Sequence, residues 1–288
     1  MISLWCARLT WVLLPLSAGG ALNDALAGWS TAPARVAAVL LWTAWTIGLV
    51  ALLSPRPQGL TALRVLAPAT VLVTIASVTS TAAGSAVLAV SSGVVACVFV
   101  LSAPVAQAAG NAIAYGDEVR FPLRIPTSLL LGPVPLAVLL VGAGAAGGPL
   151  LIADGHIIVG VIVTPIGFAV SFALLRSLHA LASRWLVLVP AGVVVVDPLT
   201  LTDPVLMRRE LIAGLGREPI GGAAGDALDL RLGTRAGTIE LALREPHTFA
   251  RRRGRRDSEL QHADVVLVST VRASALVTLA GERRIATA

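Results

Sequence analysis

Charged residues are missing from long stretches of the first half of this chain. No Asp, Glu, Lys or Arg occurs from Val65 to Gly116, and none from Ile125 to Ala153. Charge-free apolar runs of about 18 residues or more match the length of a helix that crosses a bilayer. Six spans fit, at 9–26, 36–53, 65–80, 83–101, 127–146 and 157–175. The run that starts at Val65 is too long for one span at about 1.5 Å per residue. The small polar pair Ser80-Thr81 is where a helical hairpin is expected to turn.

After Leu175 the period changes. Residues 184–199 read RWLVLVPAGVVVVDPL. The apolar core of this stretch is too short to span, and Pro190-Ala191-Gly192 interrupts it. Its flanks are rich in Val, which favours strands over helices. Pro in the second turn position and Gly in the fourth suit a hairpin. The stretch therefore predicts a strand over 185–189, a turn, and a strand over 193–196. Ala227–Leu232 and Thr238–Arg244 alternate apolar and polar residues, the period of half-buried strands. Val205–Met207 and Asp264–Val268 are shorter candidates. Ala273–Arg284 reads as a closing helix, with Leu276 and Leu279 on one face and Arg283 and Arg284 in its last turn, where cations suit the helix dipole.

The composition agrees: 56% of the 288 residues are hydrophobic and 13% charged, against roughly a quarter charged in soluble domains. All 22 basic residues are Arg. Their placement orients the chain. With the N-terminus inside, Arg8, Arg56, Arg64, Arg120, Arg124, Arg176 and Arg184 flank the inner ends, and only Arg35 lies in an outer loop. Such asymmetry marks the cytoplasmic side, so both termini are expected there. The N-terminal stretch has two readings: a cleaved secretory signal ending at Ala25-Leu26-Ala27, or a retained span anchored by Trp5 and Trp29. The retained span is taken forward, and five spans from an outside start would leave the C-terminus on the same side. Cys6 and Cys97 suggest no disulfide.

The strands following a membrane span, RWLVLVPAGVVVVD among them, together with the terminal helix, resemble bacterial pleckstrin-homology-like domains. The whole chain resembles actinobacterial multi-pass membrane proteins of uncharacterised function, and no catalytic motif transfers from either group. The resemblance implies an α-helical integral membrane domain over 1–178 in a bacterial cytoplasmic membrane. A small cytoplasmic β-rich α+β domain over 179–288 would follow it.

Gly142-Ala143-Gly144-Ala145-Ala146-Gly147 matches G-x-G-x-x-G, but a dinucleotide site needs a helix opening after the glycines and an acidic residue about 20 positions on. Pro149 follows instead, and close helix packing by small residues is the expected use. Prolines at 133, 135 and 165 could break the fifth and sixth spans as in transporters, yet no ionisable residue lies near a span centre, where coupled transport usually needs one. His156, His179, His247 and His262 have no metal-site spacing. No catalytic, cofactor-binding or metal-binding residue is assigned.

Two segments remain as candidate contact sites. The first is Arg251, Arg252, Arg253, Arg255 and Arg256, expected in a loop. Without aromatic stacking residues beyond Phe249, it suits anionic lipid rather than nucleic acid. The second is the inner loop carrying Tyr115, Asp117, Glu118, Arg120 and Arg124. There FPLRIP cannot be regular helix and is expected to run extended along the headgroups. This loop either docks the C-terminal domain through Asp117 and Glu118 or serves as a solvated connector. The function expected is a non-enzymatic membrane-anchored scaffold or regulator whose cytoplasmic domain binds a protein partner or anionic lipid. The alternative is a permease-like transporter with a regulatory domain.

Overall fold

The computed structural model describes residues 2–217, 227–254 and 257–287. The chain forms two compact units: Met1–Ala109 with Leu131–His179, and Gly110–Leu130 with Ala180–Ala288. In chain order it begins with helices α1 (Ile2–Ala27), α2 (Thr31–Leu53), α3 (Pro57–Ala76), α4 (Ala83–Val100) and the short α5 (Ala103–Asn111). Strand β1 (Val119–Pro122), the five-residue α6 (Thr127–Leu131), α7 (Pro133–Ala153) and α8 (Ile157–Ala182) follow. Six helices among the described residues are long and apolar enough to cross a membrane: α1, α2, α3 with the turn after it, α4, α7 and α8.

Local chemistry sets the helix ends. Pro57 and Pro133 stand in the first turns of α3 and α7, where the missing N–H is no loss. A 3₁₀ turn at Ser77–Ser80 and extended Thr81 separate α3 from α4, at the expected hairpin. The fifth span runs over 133–153 rather than 127–146, because Gly132 and Pro133 divide α6 from α7. Pro165 lies inside α8 without ending it. Hydroxyls in these helices bond back to carbonyls of the preceding turn, as Thr43 does to Val39 (2.7 Å) and Thr70 to Leu66 (2.9 Å). That keeps polar groups satisfied without water.

Small residues join α7 to α8. A Cβ on Gly144 would lie 2.6 Å from the Gly167 carbonyl oxygen, and one on Gly148 would lie 2.6 Å from the Thr164 Cα. The spacing 144/148 is the small-xxx-small arrangement that lets helix backbones touch. Of the G-x-G-x-x-G run only Gly144 works this way; Gly142 and Gly147 face open space.

In the second unit, β2 (Trp185–Val189) and β3 (Gly192–Val196) form the hairpin predicted from RWLVLVPAGVVVVD, with Val189 opposite Gly192. Gly192 has φ +148°, and a Cβ there would lie 2.1 Å from the Met207 carbonyl oxygen, so the turn requires glycine. Strand β4 (Val205–Arg208) completes an antiparallel sheet of order β1-β2-β3-β4. Phe121-Pro122 is extended as expected, but as ladder: β1 pairs with β2, Phe121 opposite Leu186. A second sheet has the order β5-β7-β8-β6, from β5 (Ile212–Arg217), β6 (Leu228–Asp229), β7 (Thr238–Arg253) and β8 (Asp257–Ser269). The β6–β8 pair is parallel and the others antiparallel. Helix α9 (Ala273–Glu282) closes the chain. One core takes Leu186, Leu188, Val193 and Val195 from the first sheet, Ile239, Leu241, Val266 and Val268 from the second, and Leu276 from α9. The other face of β2 is covered too: Trp185 is buried, its ring filling the space a side chain at Gly110 would need.

Candidate functional site: the arginine hairpin

Alternation sets the inner half of the β7–β8 hairpin. Ile239 and Leu241 face the core, and Val268 and Val266 stand opposite them. The register then shifts between Ala242 and His247, where β7 carries extra residues. Pro246 lies in this irregular stretch and has no N–H for a ladder. Beyond it pairing resumes from His247↔Ala263 to Arg253↔Asp257. Arg251, Arg252 and Arg253 therefore stand on a strand, which corrects the loop expected from sequence. Two ladders account for it: Arg251 lies opposite Glu259 and Arg253 opposite Asp257, and opposite charges directly across a sheet favour pairing. On the other edge the Arg252 N–H donates to the Thr200 carbonyl (2.8 Å) and the Thr202 N–H to the Ala250 carbonyl (3.0 Å). Arg255 and Arg256 lie outside the described residues.

The two faces of the hairpin end differ in charge. One carries Arg251 and Arg253 with Asp257, Glu259 and Gln261. Arg253 pairs with Glu259 at 3.4 Å and Arg251 donates to the Gln261 amide oxygen at 3.3 Å. The other face carries Arg252, Ser258, Ala250 and Leu260. Leu260 is 67% exposed, and Arg252 has no acidic partner among the described residues. A free cation beside an exposed leucine is suited to a surface that is anionic outside and apolar within.

The second candidate segment is held by backbone groups more than by its acids. Glu118 is used locally, accepting from Arg120 Nη2 (3.1 Å). The Arg120 N–H donates to the Asn111 side-chain oxygen (2.7 Å). The Asp117 carbonyl accepts from Arg283 Nη2, while Arg283 Nη1 donates to the Leu188 carbonyl (2.9 Å). Arg124 Nε donates to the Thr270 carbonyl (3.1 Å). Tyr115 is 89% exposed, with its backbone N–H near Glu118 (3.4 Å).

The strongest polar feature of this unit is one that sequence reading did not single out. Arg184 and Asp197 form a bidentate pair, Nε to Oδ1 at 2.9 Å and Nη2 to Oδ2 at 2.7 Å, with both side chains fully buried. Arg184 also donates to the carbonyls of Leu230 (2.7 Å) and Arg124 (3.2 Å), and Asp197 accepts from the Leu199 N–H (3.1 Å). Arg184 counts as one more inner-side cation in the sequence. The only available signal was its position directly before one β-strand with an Asp directly after the next. Comparison of the chain with protein-family models, curated proteins and solved structures gives no match.

Proposed function

We propose that this chain is a membrane-anchored scaffold or regulator without enzymatic chemistry, and that its β-rich unit acts as a pleckstrin-homology-like module on the cytoplasmic side. Two packed sheets closed by a C-terminal helix support the module reading. The surface that does the work is the β7–β8 hairpin end, where it binds anionic lipid headgroups. The observation that carries this reading is the face with Arg252 and exposed Leu260. Across 251–259 the sequence sets five Arg against Asp257 and Glu259, a net positive tip. Basic residues near an anionic leaflet contribute about 1 kcal/mol each, enough to orient a unit already tethered by six spans.

The test uses the full chain in lipid nanodiscs, with Ser258→Cys as a labelling site in a Cys6→Ser, Cys97→Ser background. A fluorophore at the tip is expected to be quenched by lipid-borne quenchers in anionic nanodiscs and much less in neutral ones. Quenching is expected to fall as salt rises, since the contact is exposed. Changing Arg251, Arg252, Arg253, Arg255 and Arg256 to Ser is expected to abolish the anionic dependence. Equal quenching in neutral lipid, or no response to the five substitutions, overturns the lipid role.

A further inference from the structure

One cation of the helical unit is left without a partner. Charge patterning starts the third span at Val65 and leaves Arg64 as a flanking residue. The helix instead begins at Pro57, and the apolar span runs from Pro57 to Ser80, 24 residues. That is about 36 Å at the helical rise, longer than a hydrocarbon core of about 30 Å. Arg64 stands about 10 Å along the helix from Pro57, just inside the edge of that core. The positions one turn away on its own face, Leu60, Thr61 and Ala67, are buried, and Arg64 is half-buried. It meets no hydrogen-bond acceptor and no carboxylate among the described residues, yet its nitrogens are not sealed from the surface. Arg8, at a similar depth in α1, is satisfied within the unit. Its Nε donates to the Leu52 carbonyl at 3.0 Å, and its guanidinium lies 5.0 Å from the Trp5 ring centroid.

The helical unit has no carboxylate at that end. Its acidic residues are Asp24 and Asp154, and both lie at the opposite one. Asp24 accepts from Thr81, just past the far end of α3, at 2.9 Å. Asp154 follows α7, whose opening half packs Val138 and Val141 against Val65. The Pro57 end carries Arg56 and His179 instead, and the Thr61 hydroxyl lies 2.8 Å from His179 Nδ1, which ties α8 to α3 at this level. We infer that Arg64 binds the phosphate of an anionic phospholipid from the leaflet at the Pro57 end of α3. A charge within a span is tolerated when it is paired, and no described residue pairs this one. A guanidinium fits two phosphate oxygens at once. Cα–Cβ bonds tilt toward a helix's N-terminus, so Arg64 leans back toward the headgroups, and its long stem covers the remaining depth. A lipid with net negative charge neutralises the cation, whereas phosphatidylcholine brings its own ammonium to the same phosphate.

Native mass spectrometry of the full chain in detergent tests this. Arg251, Arg252, Arg253, Arg255 and Arg256 are changed to Ser throughout, so that lipid held at the hairpin tip is not counted. Phosphatidylglycerol and phosphatidylcholine with the same acyl chains are added in turn. One retained phosphatidylglycerol is expected, and little phosphatidylcholine. Arg64→Gln is expected to lower the retained phosphatidylglycerol about tenfold, the loss of a charged hydrogen-bonding partner. Arg64→Lys is expected to lower it less, since it keeps the charge and loses the fork. Arg176→Gln removes an exposed cation of α8 and is expected to change nothing. Phenylglyoxal labelling of Arg64, located by mass spectrometry, gives a second readout that needs no change at Arg64 and so holds even if Arg64→Gln fails to fold. Phosphatidylglycerol is expected to protect Arg64 from the reagent, and phosphatidylcholine is not. Equal retention or equal protection by the two lipids overturns the site, as does retention unchanged in Arg64→Gln. Protection by inorganic phosphate alone would overturn the lipid in favour of a free anion.

Discussion

Among the described residues of the helical unit, the buried polar side chains Thr61, Thr74, Ser77 and Ser171 carry hydroxyls that bond within their own or a neighbouring helix. Ser77 donates to Thr74 at 2.8 Å and Ser171 to the Val141 carbonyl at 3.2 Å, and glycines bring the backbones together. In the β-rich unit a full guanidinium–carboxylate pair is buried, with backbone carbonyls as further acceptors. The contrast follows from the two solvents. Helices satisfy their backbone internally, so a lipid-surrounded unit needs only shape to pack. The second unit has irregular joints, where the carbonyls of Arg124 and Leu230 and the N–H of Leu199 lie outside the strand pairing. Arg184 and Asp197 reach them. A buried pair of this kind adds little stability against well-packed apolar residues, but removing one partner leaves a charge stranded.

Asp197→Ala is therefore expected to have the largest effect, a loss of about 3–5 kcal/mol from the β-rich unit. Hydrogen exchange of β2 and β3 in the full, detergent-solubilised chain reads it, with α7 and α8 as internal reference. The double substitution Arg184→Met with Asp197→Leu is expected to cost less than Asp197→Ala alone. No charge stays buried, though the Leu230 and Arg124 carbonyls each lose a donor at about 1 kcal/mol. A double variant worse than the single would mean that the pair contributes more than the joints it fills, and the contrast between the units would fail.

Sequence reading separated the two parts because helix length and strand alternation are local signals. Six spans and the Pro190–Gly192 turn were legible for that reason. Strand β1 was not, because its partner lies more than 60 residues on and Pro122 and Pro126 suggested only non-helical chain. Strand β5, with two glycines and no alternation, gave no signal at all. The arginine run was placed in a loop because its ladder depends on Asp257 and Glu259 across the turn and on Thr200 and Thr202 at the edge. The Arg184–Asp197 pair is a fact of tertiary closure, and only the fold distinguishes Arg184 from the other cations beside a span.

A smaller effect is expected where the helical unit departs from its own rule. Pro15 leaves the Trp11 carbonyl dependent on an indole from another helix. Trp45→Phe removes that donor and is expected to destabilise the α1–α2 pair by about 0.5–1.5 kcal/mol, in the range of interhelical hydrogen bonds in membranes. Pro15→Ala supplies a helical N–H to the same carbonyl, so in that background Trp45→Phe is expected to cost measurably less. Unfolding midpoints of the four chains form the cycle. Strict additivity would mean that the Trp45 indole contributes packing alone.

The smallest effect isolates burial itself. Asp229 and Arg231 repeat the chemistry of the buried pair on a more open surface. The Arg231 backbone N–H donates to Asp229 Oδ1 at 2.8 Å, its Nε to the same oxygen at 2.9 Å and its Nη2 to Oδ2 at 2.9 Å. Partial burial pushes the Asp229 carboxyl up, but the hydrogen bonds from Arg231 outweigh it and hold the group below its ordinary value. A carboxyl depressed in the folded state contributes stability that is complete above its unfolded value of about 3.9 and is lost as pH falls through the lower folded value. The Asp229 side chain is 46% exposed, so solvent screens the pair and the contribution is expected to stay below about 1 kcal/mol. Asp229→Asn is thus expected to lower the denaturation midpoint of the β-rich unit slightly at pH 6, with the gap to the parent closing as pH falls below about 4. A gap that stays constant with pH would assign the effect to the turn geometry at Asp229. A gap at pH 6 as large as that of Asp197→Ala would show that burial is not what separates the two pairs.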